Sequence, residues 1–160
     1  MMHDITEFYR ELVQHAEGLL AGQAHRIANA ANLSALIFNR LERVNWAGFY
    51  FLEGDTLIVG PFQGQPACVR IEMGQGVCGT AAATRTTQRV ADVHAFEGHI
   101  ACDPASRSEL VVPLILHDQI IGVLDIDSPE TDRFNGEDQT GIEALARAYV
   151  DSLGGTTSTN

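Results

Sequence analysis

Three thiols and three carboxylates carry most of the chemistry that this sequence offers. Cys68, Cys78 and Cys102 are its only cysteines. Their number is odd and no two form a Cys-x-x-Cys pair, so the spacing spells neither a disulfide framework nor a zinc ribbon. Cys78 follows Gly-Gln-Gly-Val at positions 74–77, where a helix is expected to start. A thiol there faces free backbone N–H groups and the positive end of the helix dipole, which lower its pKa. The same N–H groups could instead hold a substrate carboxylate. Cys102 lies in a polar stretch, 92–108, with Asp92, His94, Glu97, His99 and Asp103. A thiol on such a loop can be reached by a substrate and by a second thiol. On these grounds Cys78 and Cys102 compete as nucleophile, and each has an inert alternative as a buried small side chain. Asp92, His94, His99 and Cys102 form a mixed ligand set, but its spacing fits no standard zinc signature, and no metal is expected.

Asp125 and Asp127 are two apart at the end of an apolar strand, which puts both on one face. Glu109 begins the neighbouring strand, so the three carboxylates are expected to gather at the edge of a sheet. Acidic residues often end strands simply to face solvent. Two carboxylates on one face repel, however, and are tolerated mostly where a cation or a proton resides. Such a group could bind an ammonium or donate a proton. Trp46 and Tyr50, four apart on an alternating strand, share a face as core or as a wall beside an apolar substrate group.

These side chains need a scaffold, and hydrophobic periodicity outlines one. Residues 4–22 and 25–42 read as amphipathic helices, the first with a capping box from Asp4 and Glu7. Asn45–Leu52 and Thr56–Phe62 flank Glu53-Gly54-Asp55 as a hairpin. A short strand over Ala67–Ile71, a small-residue helix over Val77–Thr84 and a strand over Gln88–Ala91 follow. Residues 92–108 form a long irregular loop, of the kind often used for binding. Glu109–His117 and Gln119–Asp127 make a second hairpin around Asp118, and Asn135 caps a final helix to about Leu153. Hairpins instead of regular βαβ alternation predict an α+β domain: an antiparallel sheet flanked by N- and C-terminal helices. The expected organisation is one domain over 1–153 with a disordered polar tail over 154–160.

Composition narrows the partners. Net charge is −11, and all ten basic residues are arginine. Such a chain lacks the electrostatic footprint for phosphate backbones or anionic lipid, so neither nucleic acid nor a membrane surface is an expected partner. The longest apolar run, Leu110–Leu116, is far too short for a membrane span. The N-terminal residues show no basic and apolar leader pattern, which points to the reducing cytoplasm and against structural disulfides.

Several blocks together are recognisable: Asn45-Trp46-Ala47-Gly48-Phe49-Tyr50, GPFQGQPACVRI at 60–71, GQGVCGTAA at 74–82, DVHAFEGHIACD at 92–103, SELVVPL at 108–114 and GVLDIDSP at 122–129. Over roughly residues 25–152 the chain resembles the free methionine-(R)-sulfoxide reductases, small single-domain GAF proteins. All three cysteines fall at that family's spacing, and an ordinary sensor GAF domain lacks the set. Glu97 and Glu72 stand where the family often has proline, which bears on loop stiffness rather than on chemistry.

The resemblance implies a GAF-like fold and a mechanism. Cys102 would attack the sulfoxide sulfur, release methionine and become a sulfenic acid. Cys68 or Cys78 would then resolve it as a disulfide; Cys68 is favoured because Cys78 is held by its helix. Thioredoxin would reduce that disulfide, with no cofactor. This reverses the dipole argument for Cys78, because sulfenic acid chemistry needs an exposed, mobile thiol. Glu109, Asp125 and Asp127 would divide the roles of proton donor and ammonium ligand, and Trp46 and Tyr50 would wall the methyl end. A homodimer paired through the first and last helices is expected, as in many GAF proteins. A non-enzymatic GAF sensor and a thiol peroxide scavenger are the rival readings.

Overall fold

A computed structural model describes residues 4–100 and 102–155. The order is α1 (Ile5–Leu20), α2 (Arg26–Arg40), β1 (Trp46–Glu53), β2 (Thr56–Gly64), β3 (Arg70–Glu72), α3 (Gly76–Thr84), β4 (Gln88–Val90), β5 (Ser108–Leu116), β6 (Gln119–Ser128) and α4 (Gly136–Val150). The strands form one sheet in the order β3-β2-β1-β6-β5-β4. Every neighbouring pair is antiparallel. This is the expected α+β architecture.

Alternation sorts the strand residues onto two faces. Ala47, Phe49 and Phe51 of β1, Leu110, Val112 and Leu114 of β5, and Leu124 and Ile126 of β6 face a large core closed by α2 and α4, with α1 packed on α4. The opposite face carries Trp46, Tyr50, Val111 and Val123 under α3. Glu109, Asp125 and Asp127 have the parity of that second face. Register aligns Asp127 with both Trp46 and Glu109, and Asp125 with Gly48 and Val111. The acidic group therefore gathers at strand ends, as expected from the sequence, but on inner strands that have a neighbour on each side rather than on an outer strand.

Local chemistry accounts for the element ends. Asn135 and Asp138 exchange hydrogen bonds as a capping box at the start of α4. At α1, by contrast, Asp4 accepts from the Thr6 N–H, and the predicted exchange with Glu7 is not made. The β5–β6 turn has positive φ at both His117 and Asp118, the geometry that suits the twist of a two-residue hairpin. The β1–β2 register slips between Gly48 and Tyr50. A Cβ on Gly48 would collide with that of Phe62, so glycine is what lets Phe62 close in and stack on Trp46 at 5.1 Å. The third strand is shorter and later than predicted, Arg70–Glu72, which leaves Ala67 and Cys68 on the connection before it. A wider turn, Asp151–Gly155, continues α4 and is broken at Gly154, whose φ is +90°. Of the predicted tail, 156–160 lie outside the described residues. No described helix is long and apolar enough to cross a membrane.

Candidate active site

The site sits on the α3 side of the central strands. Trp46 and Tyr50 of β1 stack at 5.8 Å and are both buried. Their polar tips are not idle: Trp46 Nε1 donates to the Gln65 carbonyl at 3.1 Å, and Tyr50 Oη donates to the Cys68 carbonyl at 3.3 Å. The aromatic pair thus serves as core and also fixes the connection that carries Cys68.

The stretch around Cys102 leaves and re-enters the fold at nearly the same place. The Val93 N–H donates to the Arg107 carbonyl, and the Arg107 N–H donates to the Ser128 carbonyl, both at 2.8 Å. Val93 is fully buried below this neck. The result is an Ω-type loop with one short helical turn, Val93–Ala95, and otherwise irregular backbone. Farther along, Asn45 Nδ2 donates to Asp103 Oδ2 at 3.0 Å and to Ser106 Oγ at 3.1 Å. Sequence reasoning gave Asn45 no role. Its partners are 58 and 61 positions away, beyond any local pattern. At the tip, Cys102 is bonded to Cys68, with Cα atoms 5.3 Å apart. Cys78 remains a free, buried thiol. Asp92 spends its side chain on the His94 N–H, and Cys102 is in the disulfide, so the loop's mixed ligand set does not converge.

Beneath the disulfide lies a cavity of about 40 Å³, lined by Trp46, Tyr50, Cys78, Glu109, Asp125 and Asp127, with His99, Asp103 and Ser106 at the loop side. All three carboxylates of the floor are at least nine-tenths buried. Asp125 Oδ1 and Asp127 Oδ1 have no hydrogen-bond partner. Among the described residues, none of the three is ion-paired to an arginine. Burial pushes all three well above the usual carboxylate range, and the neighbouring carboxylates add to the rise. The Cys78 thiol donates to Glu109 Oε2 at 3.8 Å. Burial, then Asp125, Glu109 and Asp127, push this thiol up as well. That corrects the dipole argument: the start of α3 does not activate Cys78 while it is buried and faced by three acids.

The arrangement can do three things. Uncompensated buried carboxylates attract a compact cation, and acids with raised pKa values hold protons ready to give. Two thiols within bonding distance can exchange two electrons.

Sheet, helices and site together define a single-domain GAF protein with a thiol centre, and the model of the GAF domain family matches residues 3–153. The free methionine-R-sulfoxide reductase of Escherichia coli (strain K12) is 57% identical over 140 residues, 88% of this chain and 85% of that protein. The protein of the same name from Saccharomyces cerevisiae is 45% identical over 149 residues, 88% of this chain and 83% of that one. A crystal structure of free methionine-R-sulfoxide reductase from Neisseria meningitidis, in complex with its substrate, superposes with a TM-score of 0.92 at 38% identity, covering 97% of this chain and 93% of that one. The chain belongs to the free methionine-R-sulfoxide reductase family of GAF proteins.

Proposed function

We propose that this protein reduces free L-methionine-(R)-sulfoxide to methionine, with Cys102 as nucleophile and Cys68 as resolving thiol. The observation that carries the reading is the Cys68–Cys102 bond above a pocket with an aromatic wall and an acidic floor. Cys102 attacks the sulfoxide sulfur while a floor carboxylic acid protonates the oxygen. The oxygen passes to Cys102 as a sulfenic acid and methionine leaves with its sulfur reduced. The Cys68 thiol attacks the sulfenic sulfur, water departs and the disulfide forms. Two electrons from thioredoxin restore both thiols, which fits a reducing cytoplasmic setting.

Glu109, Asp125 and Asp127 share proton donation and the grip on the substrate ammonium, while Trp46 and Tyr50 flank its methyl end. An ammonium partner at the floor favours the free amino acid over methionine sulfoxide within a peptide. The cavity under the disulfide has room for no more than a few waters. Substrate therefore enters a second state in which the 92–108 loop has swung away from Cys68. The catalytic unit is one GAF domain over 1–153. It pairs as a homodimer through α1 and α4, whose junction leaves a groove of about 920 Å³. Sedimentation as a single-chain species at micromolar concentration would refute that pairing.

One experiment tests the chemistry: single-turnover and thioredoxin-coupled assays with each sulfoxide epimer. The wild type should turn over the R epimer alone. Cys102→Ser should release no methionine even once, whereas Cys68→Ser should release about one per chain and stall. Equal turnover of both epimers would refute the substrate, and turnover by Cys102→Ser would move the nucleophile to Cys78.

A further inference from the structure

The pocket floor contains a group that recognition of an ammonium does not call for. Carboxylates satisfy an ammonium; a thiol adds little to it. Yet Cys78 Sγ, a carboxylate oxygen of Glu109 and one of Asp125 all lie within 4.8 Å of one another, and all three residues are buried. They come from α3, β5 and β6, so only the tertiary fold brings them together. Cys78 Sγ and Glu109 Oε2 are 3.8 Å apart. In a tetrahedral zinc site, with Zn–S about 2.3 Å and Zn–O about 2.1 Å, sulfur and oxygen stand about 3.6 Å apart. The donors are thus already close to ligand spacing.

A separate observation points to a bound cation. Asp125 is 4% exposed, lines the cavity, and keeps Oδ1 without a hydrogen-bond partner. A buried carboxylate oxygen in that position is costly unless something positive meets it. We propose that Cys78, Glu109 and Asp125 form a binding site for a zinc-class divalent cation, with a fourth position open to the cavity beneath Cys102. Mixed sulfur and oxygen donors favour zinc or cobalt over magnesium or calcium, which take oxygen alone. On binding, Cys78, Glu109 and Asp125 each pass a proton to solvent and ligate as a thiolate and two carboxylates. The thiolate and two carboxylates bring a charge of −3, of which the dication offsets two. The cation and the substrate ammonium would compete for the same acids, so a thiophilic metal inhibits the reductase. That last step rests on the substrate reading above; the metal site itself does not.

The test uses the full-length Cys68→Ser/Cys102→Ser protein, in which Cys78 is the sole thiol and no disulfide ties the loop. Titration with Co²⁺ should give one ion per chain and a thiolate-to-cobalt charge-transfer band that Zn²⁺ displaces. Adding Cys78→Ser should abolish the band. Asp125→Asn, which keeps the thiol, should weaken Co²⁺ binding at least about tenfold, with circular dichroism verifying the fold of each variant. No band, or a band that survives Cys78→Ser, overturns the metal site. Free methionine should weaken Co²⁺ binding in proportion to its concentration. A band that methionine leaves untouched supports the metal site and refutes the assignment of these acids to the substrate ammonium.

Discussion

At the scale of single residues, the site works by keeping charge out of water without supplying a counter-ion. Each floor carboxyl holds its proton more tightly than an exposed acid because burial strips water from its ionised form, and the neighbouring carboxyls add to the rise. Glu109→Gln and Asp127→Asn preserve shape but remove both charge and acidity. The variant that loses the proton donor should drop kcat by about 10²–10⁴, and the one that loses the ammonium partner should mainly raise KM. Steady-state kinetics at saturating and limiting substrate separate the two, and wild-type constants in both would remove the acids from the mechanism. Stability carries the same signature. A carboxyl whose folded pKa lies above its unfolded value binds more protons in the native state. Its contribution is whole below about pH 4 and is lost as pH rises through the raised value. In chelator-containing buffer, Asp125→Asn should therefore melt a few degrees above the wild type near pH 8 and lose that advantage towards about pH 4. Parallel melting curves across that range would refute it. The parity that pairs Asp125 with Asp127, and separately Trp46 with Tyr50, is legible in the sequence, because alternation is a local rule; that both pairs share one face follows only from the β1–β6 register. Burial is not: β5 and β6 lie inside the sheet only because of strand order, which no local pattern encodes. The same gap explains Cys78, whose helix start is visible in sequence while Glu109, 31 positions away, is not.

At the scale of elements, the decisive piece is the loop that carries Cys102. Its neck is pinned by the Val93–Arg107 and Arg107–Ser128 backbone bonds, and its far limb is held by Asn45 through Asp103 and Ser106. On the proposed mechanism, the tip between these anchors is the part that must travel from Cys68 to the substrate. Asn45→Ala removes two partly buried hydrogen bonds, each contributing about 1 kcal/mol net. The variant should expose the disulfide more often, so that a small dithiol reduces it about tenfold faster while the far-ultraviolet spectrum is unchanged. An unaltered reduction rate would show that Asn45 does not restrain the loop. The helices and both long hairpins could be read from periodicity and turn residues, since those signals are contained within each element. The short third strand could not, because three residues paired to β2 carry too little pattern to fix a boundary. The predicted exchange at α1 failed for a similar reason: Asp4 had a nearer donor in Thr6.

At the scale of the molecule, the two faces of the sheet have divided their work. The side covered by α2 and α4 holds the larger apolar core, whereas the α3 side has a smaller one around Trp46 and Tyr50 and gives the space beside it to acids and thiols. The Cys68–Cys102 bond bridges 34 positions and ties the loop tip to the connection before β3. A cross-link over that span removes about 4 kcal/mol of chain entropy from the unfolded ensemble. The oxidised protein should melt on the order of 10 °C above the reduced one and resist proteolysis accordingly; coincident melting curves would contradict this. On the proposed cycle, a reductase of this build is hardest to destroy when it has just acted and awaits electrons. Durability and readiness then alternate within each turnover: when reductant is scarce, the protein waits in its sturdier form, and recharging makes it active and perishable together.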